Sequence, residues 1–592
     1  ALTAAAGSDI SLIQPTNNFG TVGIVSGNNV TLADANAINL AASTVRGALG
    51  VTANGAITDS GTLLVTGTTT LAAGAANNIV LNDVANNFGG AVSVTSGNDV
   101  TLIDVDALAV GGTVSGDLTT AAGTTTALNT MTVGGDLTVA STGAITDSGN
   151  VSVAGLATLG AGANPITLGD GAGETTNFGS LNVTGTVVTI TEDSATELAG
   201  VAATTLSLIS TGAITDSGPI AVTGAATLNA GANAITLGDA GETTNFGTLN
   251  VTGGTVNVSE DSATDLAGVT ATTLTLTSAG AITDSGNVQV TGLATLNAGA
   301  NLITLGDAGG ETTNFGSLNV TGGAVTVTED SATELAGVSA TTLALTSAGA
   351  ITDSGPIAVT GAATLNAGAN PITLGDAGET TNFGTLNVTG GAVSVSEDSA
   401  TDLAGVTATT LTLTSAGAIT DSGNIAVTAG AVLNAGANPI TLGDAGGETT
   451  NFGALMVTGT AVNVTEDSAT DLAGVTATTL TVTSAGAITD SGNVSVSGLA
   501  TLSAGGGASD ITLGDGVGET TNFGSLNVTG AVVSIGEDSA TELAGANTAG
   551  TLDLNSGGAI TDTGGASLAV TGNADFADTG GAGITLDGTL NF

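Results

Sequence analysis

Apolar and polar residues alternate in short runs along almost the whole chain. Thr273-Leu274-Thr275-Leu276-Thr277 sets Leu on one face of an extended backbone and Thr on the other. The β-branched residues in these runs favour strands, and the Gly, Asn and Asp clusters between them favour turns. No stretch carries a 3.6-residue apolar period with helix caps. The pattern predicts an all-β protein. The prolines fit it: Pro165, Pro371 and Pro439 follow Asn, and Pro219 and Pro356 follow Gly, each just before a run. The first residue of a strand tolerates a missing N–H.

The Asn-Phe-Gly triplet measures a repeat. Its Phe falls at Phe19, Phe88, Phe178, Phe246, Phe315, Phe383, Phe452 and Phe523, so the numbering advances by 69, 90, 68, 69, 68, 69 and 71. The chain then closes on Leu590-Asn591-Phe592, inside another copy of the motif. The repeats run at about 178–245, 246–314, 315–382, 383–451, 452–522 and 523–591, with more divergent coils over 1–177. Internal periodicity takes precedence over a domain count from length. Each 69-residue repeat reads as three thirds, such as LTLTSAGAITDSGNVQVTG, LATLNAGANLITLGDAGGETTNFGS and LNVTGGAVTVTEDSATELAGVSATT. Each third has a run, a turn and a second run ending at an acidic residue. The expectation is a parallel β-helix with coils of about 23 residues, three per repeat. The longest advance, from Phe88 to Phe178, is one period plus one inserted coil. Residues 1–592 then form one continuous rod of about 26 coils, roughly 120 Å long at the strand spacing, a segment of a longer or polymerising chain. A string of antiparallel sandwiches would need linkers and larger core residues, and neither is seen.

Composition narrows the chemistry. The 592 residues hold 51 Asp plus Glu against one basic residue, Arg46, for a formal charge of -50. There is no His, Cys, Trp, Tyr or Lys, and Phe is the sole aromatic type. One Arg cannot neutralise a phosphate backbone, so nucleic acid is not expected as a partner. Zinc, haem and iron–sulfur sites lack their ligands. Nucleophilic triads lose their usual base, and Schiff-base chemistry loses its Lys. Carboxylate chemistry and hard-cation binding by oxygen remain. No apolar run reaches the ~18 residues of a membrane helix, so membrane insertion is not expected.

The recurring pattern GAITDSG…VTGLATLNAGAN.ITLGD…NFG.LNVTG resembles the repeat region of filamentous-haemagglutinin-type exoproteins. The resemblance covers about Gly7 to Phe592 and implies a long right-handed β-helix. It also implies export across a Gram-negative outer membrane by two-partner secretion. The family's secretion domain, with its Asn-Pro-Asn and Asn-Pro-Asn-Gly elements, is not in this stretch.

Three acidic motifs recur. The pairs Glu192-Asp193, Glu260-Asp261, Glu329-Asp330, Glu397-Asp398, Glu466-Asp467 and Glu537-Asp538 could form a row of calcium sites, since hard cations take several carboxylate and carbonyl oxygens. The favoured reading is a solvated turn that keeps the chain soluble, since no EF-hand or Gly-Gly-x-Gly-x-Asp spacing accompanies them. A second cluster, Asp170…Glu174, Asp307…Glu311, Asp376…Glu379 and Asp444…Glu448, varies in spacing by a residue, which a rigid metal cage would not favour. The Asp of Ile-Thr-Asp-Ser-Gly, at Asp59, Asp147, Asp216, Asp284, Asp353, Asp421 and Asp490, suits an Asx turn at a coil corner. Paired carboxylates could hydrolyse a glycoside, but every copy looks alike and no insertion shapes a cleft. The Phe of each triplet is expected inside, with successive rings ~14 Å apart along the axis.

These observations point to a passive structural protein rather than an enzyme. It would be a secreted or cell-surface rod of a Gram-negative bacterium, serving as an adhesin stalk or as part of an extracellular filament or biofilm matrix. Its partners would be copies of itself, end to end or side by side, and cell-surface or matrix polysaccharide. No cofactor is required, although calcium could be held. The alternative is a calcium-dependent carbohydrate- or cell-binding adhesin module.

Overall fold

A computed structural model describes residues 2–592. Among these residues there is no α-helix, only short 3-10 geometry at Gly505–Gly507. Every strand pair is parallel, and the chain winds as a β-solenoid of about 30 turns. It divides into two compact units, Ala1–Ala298 and Gly299–Phe592.

The strand register sets the coil. In the second unit one ladder runs Thr333, Ile351, Ile372, Val393, Leu411, Ala431, Leu455, the numbering advancing by 18, 21, 21, 18, 20 and 24. In the first unit the equivalent ladder runs Thr196, Ile214, Ile235, Val256, Leu274, Ala294, advancing by 18, 21, 21, 18 and 20. One stacking step along a ladder is one coil, so a coil holds about 20 residues rather than the expected ~23.

The number of coils per repeat changes with it. From Ile351 to the next copy, Ile419, the chain lays down ten short extended segments: 351–353, 357–359, 363–366, 372–374, 381–383, 386–390, 392–397, 401–403, 406–408 and 411–415. Each pairs with the segment three places ahead except 381–383, which no strand ladder covers on that side. Three segments make one coil, so a repeat spans three and a third coils and not three. The sequence hides this because not every corner carries a turn. Thr381–Glu397 is a single strand of 17 residues, and Thr401–Ser415 one of 15. Their corners lie inside these strands, at Gly384-Thr385, Gly391, Ala404-Gly405 and Thr409-Thr410, each only one or two residues long and without Asn, Asp or Pro.

Successive repeats are thus turned by a third of a coil. The copies Ile351, Ile419 and Ile488 stand on three separate ladders; the second runs Thr401, Ile419, Ile440, Val462 and the third Thr470, Ile488, Ile511, Val533. Rings three and a third coils apart lie ~16 Å apart along the axis and on different faces, not ~14 Å apart in one line.

Alternation places the aliphatic residues inside. Ile214, Ile235, Val256 and Ala294 are fully buried, and Leu274 nearly so. Each buried Val, Leu or Ile contributes about 1.5–3 kcal/mol. The Phe side chains of the regular repeats are also interior, as expected.

Candidate functional site

The Thr-Asn-Phe segment is the one member of each repeat that no strand covers with a regular ladder. Carboxylates cover it instead. Glu397 Oε1 accepts the Phe383 N–H at 3.0 Å and the Ser399 hydroxyl at 3.0 Å. Asp398 Oδ2 accepts the Thr381 N–H at 3.0 Å, while the Asp398 N–H donates to the Thr381 carbonyl at 2.9 Å. The same Phe-to-Glu bond, at 2.8–3.0 Å, recurs at Phe178–Glu192, Phe246–Glu260, Phe315–Glu329, Phe452–Glu466 and Phe523–Glu537. In three copies the second Glu oxygen accepts a buried Thr hydroxyl at 2.7 Å, Thr264 on Glu260, Thr333 on Glu329 and Thr541 on Glu537.

The six Glu side chains are 0–3% exposed, whereas their Asp neighbours sit on the rim. Burial pushes each of these Glu carboxyls above its ordinary value, against the pull of the Phe N–H and the Thr and Ser hydroxyls. In the Glu-Asp pairs proposed as calcium ligands, Glu Oε1 and Asp Oδ2 are thus engaged by their own chain, while Glu192, Glu397 and Glu466 keep a buried Oε2 without a hydrogen-bond partner. Each pair closes the open edge of one segment.

A different set of carboxylates is brought together. Asp216 ends one Ile-Thr-Asp segment, and Ile235-Thr236-Leu237 stacks on that segment one coil later. Gly238 follows with φ +70, and a Cβ there would collide with the Ser259 carbonyl oxygen, so the turn needs Gly. Its N–H donates to Asp216 at 3.0–3.1 Å. The loop then carries Asp239 and Glu242 back over Asp216, so that one oxygen of each carboxylate lies within 4.8 Å of the others. Asp147, Asp170 and Glu174 form the same triad, as do Asp353, Asp376 and Glu379, and Asp490, Asp515 and Glu519.

Loops of both lengths close it. In the short loop the Ala240 N–H donates to Glu242 Oε2 at 2.9 Å; in the longer one the Gly171 N–H donates to Glu174 Oε2 at 2.9 Å. Both loops pass through a left-handed glycine just before the Glu, Gly241 and Gly173, and in the longer one the Glu174 N–H also donates to the Gly171 carbonyl at 3.2 Å. The spacing change that argued against a cage is therefore tolerated by the fold.

Burial, with Glu242, Asp239 and Glu197 nearby, pushes the Asp216 carboxyl up to about 6; Asp353 is pushed up to about 6 by burial and by Glu379, Asp376 and Glu334. Asp147, Asp421 and Asp490 are raised for the same chief reason. Such a triad can share a proton or hold a metal ion, and an all-carboxylate donor set suits a hard cation. Asp147 Oδ1 and Glu519 Oε2 are buried without a hydrogen-bond partner. In the sequence the Ile-Thr-Asp aspartate and the Asp…Glu loop belong to separate motifs, which the fold brings together. The missed signal was their separation: Asp239 follows Asp216 by one coil plus the turn, which sets the two on neighbouring coils.

A family model described as repeats of unknown function (DUF5649) matches residues 27–95, 115–184, 184–259, 253–321, 322–396, 390–458, 459–526 and 529–591. No curated protein and no solved structure matches.

Proposed function

Since the chain belongs, over most of its length, to a family of repeats of unknown function, we propose that its role is structural. In this reading the solenoid is a stalk or filament component at the cell surface or in the extracellular matrix, without chemistry of its own. One observation carries the proposal: the repeat is copied with little change onto all three faces of the solenoid, so no face gathers one set of unlike residues into a cleft. Buried aliphatic ladders and backbone hydrogen bonds supply stiffness independent of any ligand. The high negative charge keeps neighbouring molecules apart at low salt, and the near absence of Lys and Arg removes the cleavage sites of trypsin-like proteases. The resemblance to filamentous-haemagglutinin-type proteins supports secretion from a Gram-negative cell. Among the described residues no helix is long and apolar enough to cross a membrane. Copies of the chain and surface or matrix polysaccharide are the proposed partners.

A second reading, cation-dependent adhesion, is favoured by the carboxylate triads. In it the ligands are Asp216, Asp239 and Glu242 and their counterparts, and calcium is the ion whose flexible oxygen coordination tolerates loops of two lengths. Immunogold labelling of intact cells and extracellular material tests the structural reading, which expects label on surface fibrils or matrix. Label confined to the cell interior would overturn it. Thermal melting with calcium and with chelator separates the two readings. The structural reading expects coincident melts, and a melt that collapses in chelator would favour the second.

A further inference from the structure

We propose that Met456 is the site at which oxidants modify this chain, its thioether converted to the sulfoxide at a surface slot built for a polar group. The chain has no Cys, His, Trp or Tyr, so its readily oxidised side chains are its two methionines. They lie in opposite environments. Met131 is 3% exposed in the core of the first unit, whereas Met456 is 43% exposed on the outer side of the second.

Met456 and Val432 before it are the apolar members of an outward-facing ladder. Thr412, Val432, Met456 and Gly474 follow one another on consecutive coils. In other repeats the corresponding slot holds Asn over Gly: Asn182 over Gly200, Asn250 over Gly268, Asn319 over Gly337 and Asn387 over Gly405. Met456 lies flat across Gly474, with Cγ and Cε at 3.3 and 3.4 Å from where a Cβ on that glycine would sit. Its sulfur therefore runs along the surface between them. The other copies carry a polar amide at this slot, so a polar sulfoxide falls where the fold already holds a polar side chain.

The step balances with a peroxide as co-reactant. The sulfur lone pair attacks one peroxide oxygen, the O–O bond breaks, the S–O bond forms, and the second oxygen leaves as water. Sulfur is oxidised by two electrons and the peroxide is reduced. A dithiol reductant reverses it, giving thioether, water and a disulfide on the reductant.

The test is hydrogen peroxide on the folded full chain, followed by glutamyl-specific digestion and peptide mass spectrometry. The Met456 peptide should gain one oxygen roughly tenfold or more faster than the Met131 peptide, and the two should react alike in urea. Equal rates in the folded chain, or protection of Met456, would overturn the site. Met456→Asn should leave only the slow uptake at Met131 in the folded chain, and both this variant and the oxidised wild type should melt like wild type. A clear drop in melting temperature on oxidation would overturn the claim that the slot is built for a polar group.

Discussion

Replacing Glu260 by Ala should open one coil, and replacing it by Gln should not. Glu260 accepts the Phe246 N–H at 2.9 Å, the Thr264 hydroxyl at 2.7 Å and the Ser262 hydroxyl at 3.1 Å. In Glu260→Ala the Phe246 N–H and the Thr264 hydroxyl are left buried without an acceptor, at about 1–3 kcal/mol each. The lost methylene leaves a small void worth about 1 kcal/mol. Ser262 turns to water at little cost. Relief of a poorly solvated charge offsets part of this, because burial already pushes that carboxyl up. The expected net loss is about 3–4 kcal/mol, felt locally. Glu260→Gln keeps an acceptor for Phe246 and removes the charge, so it should cost about 1 kcal/mol or less. Hydrogen exchange read by mass spectrometry over 244–260 is the assay. About 3 kcal/mol corresponds to roughly a hundredfold faster exchange at Phe246 in the Ala variant, with the Gln variant near wild type. Equal exchange in the two variants, fast or slow, would refute the capping role.

Acid should stabilise this protein before it destabilises it. Asp216 and Asp353 are raised from 3.8 to about 6 in the folded chain, so the folded state holds more protons between those values. Their contribution is full below pH ~4 and is lost as pH rises to ~6, so urea midpoints taken across this window should fall toward neutral pH. Gly238→Ala should cost about 1–2 kcal/mol for its left-handed backbone alone, and more for the Cβ driven into the Ser259 carbonyl. Gly241→Ala, at φ +90 but with nothing within 4 Å, should show only the backbone share, compared by local hydrogen exchange. Deleting residues 381–449 brings Thr450 to the place of Thr381 and should leave the melting curve nearly unchanged. Deleting 381–414 removes one Phe together with the Glu and Asp that cap it and joins unlike segments, and circular dichroism should show a lower, broader melt.

Strand content and the inward face were legible in the sequence because alternation is a local property. Thr273 to Thr277 needs no partner to declare its two faces. Coil length was not legible, because it depends on where the chain turns. The corners at Gly384-Thr385, Gly391, Ala404-Gly405 and Thr409-Thr410 are one or two residues long and lie inside continuous strands, so a lone Gly or a Thr pair is all that marks them. Coil length did not hide the triad: Asp239 follows Asp216 by 23 residues, which sets the two on neighbouring coils at either length. It was hidden because the aspartate and the Asp…Glu loop belong to separate motifs, which only the folded chain brings together. The buried role of Glu260 was hidden for a related reason. It caps Phe246, well back along the chain, across a gap in the ladder that only the folded chain contains.

A cryo-electron microscopy map of the purified chain tests the central claim most directly, because a uniform three-faced solenoid is what leaves no face distinct enough for a specialised site. Coils should repeat every ~4.8 Å along the axis with about 20 residues each. Phe383, Phe452 and Phe523 should stand on three successive faces. Coils of about 23 residues, three to a repeat and with these three rings aligned on one face, would contradict the account.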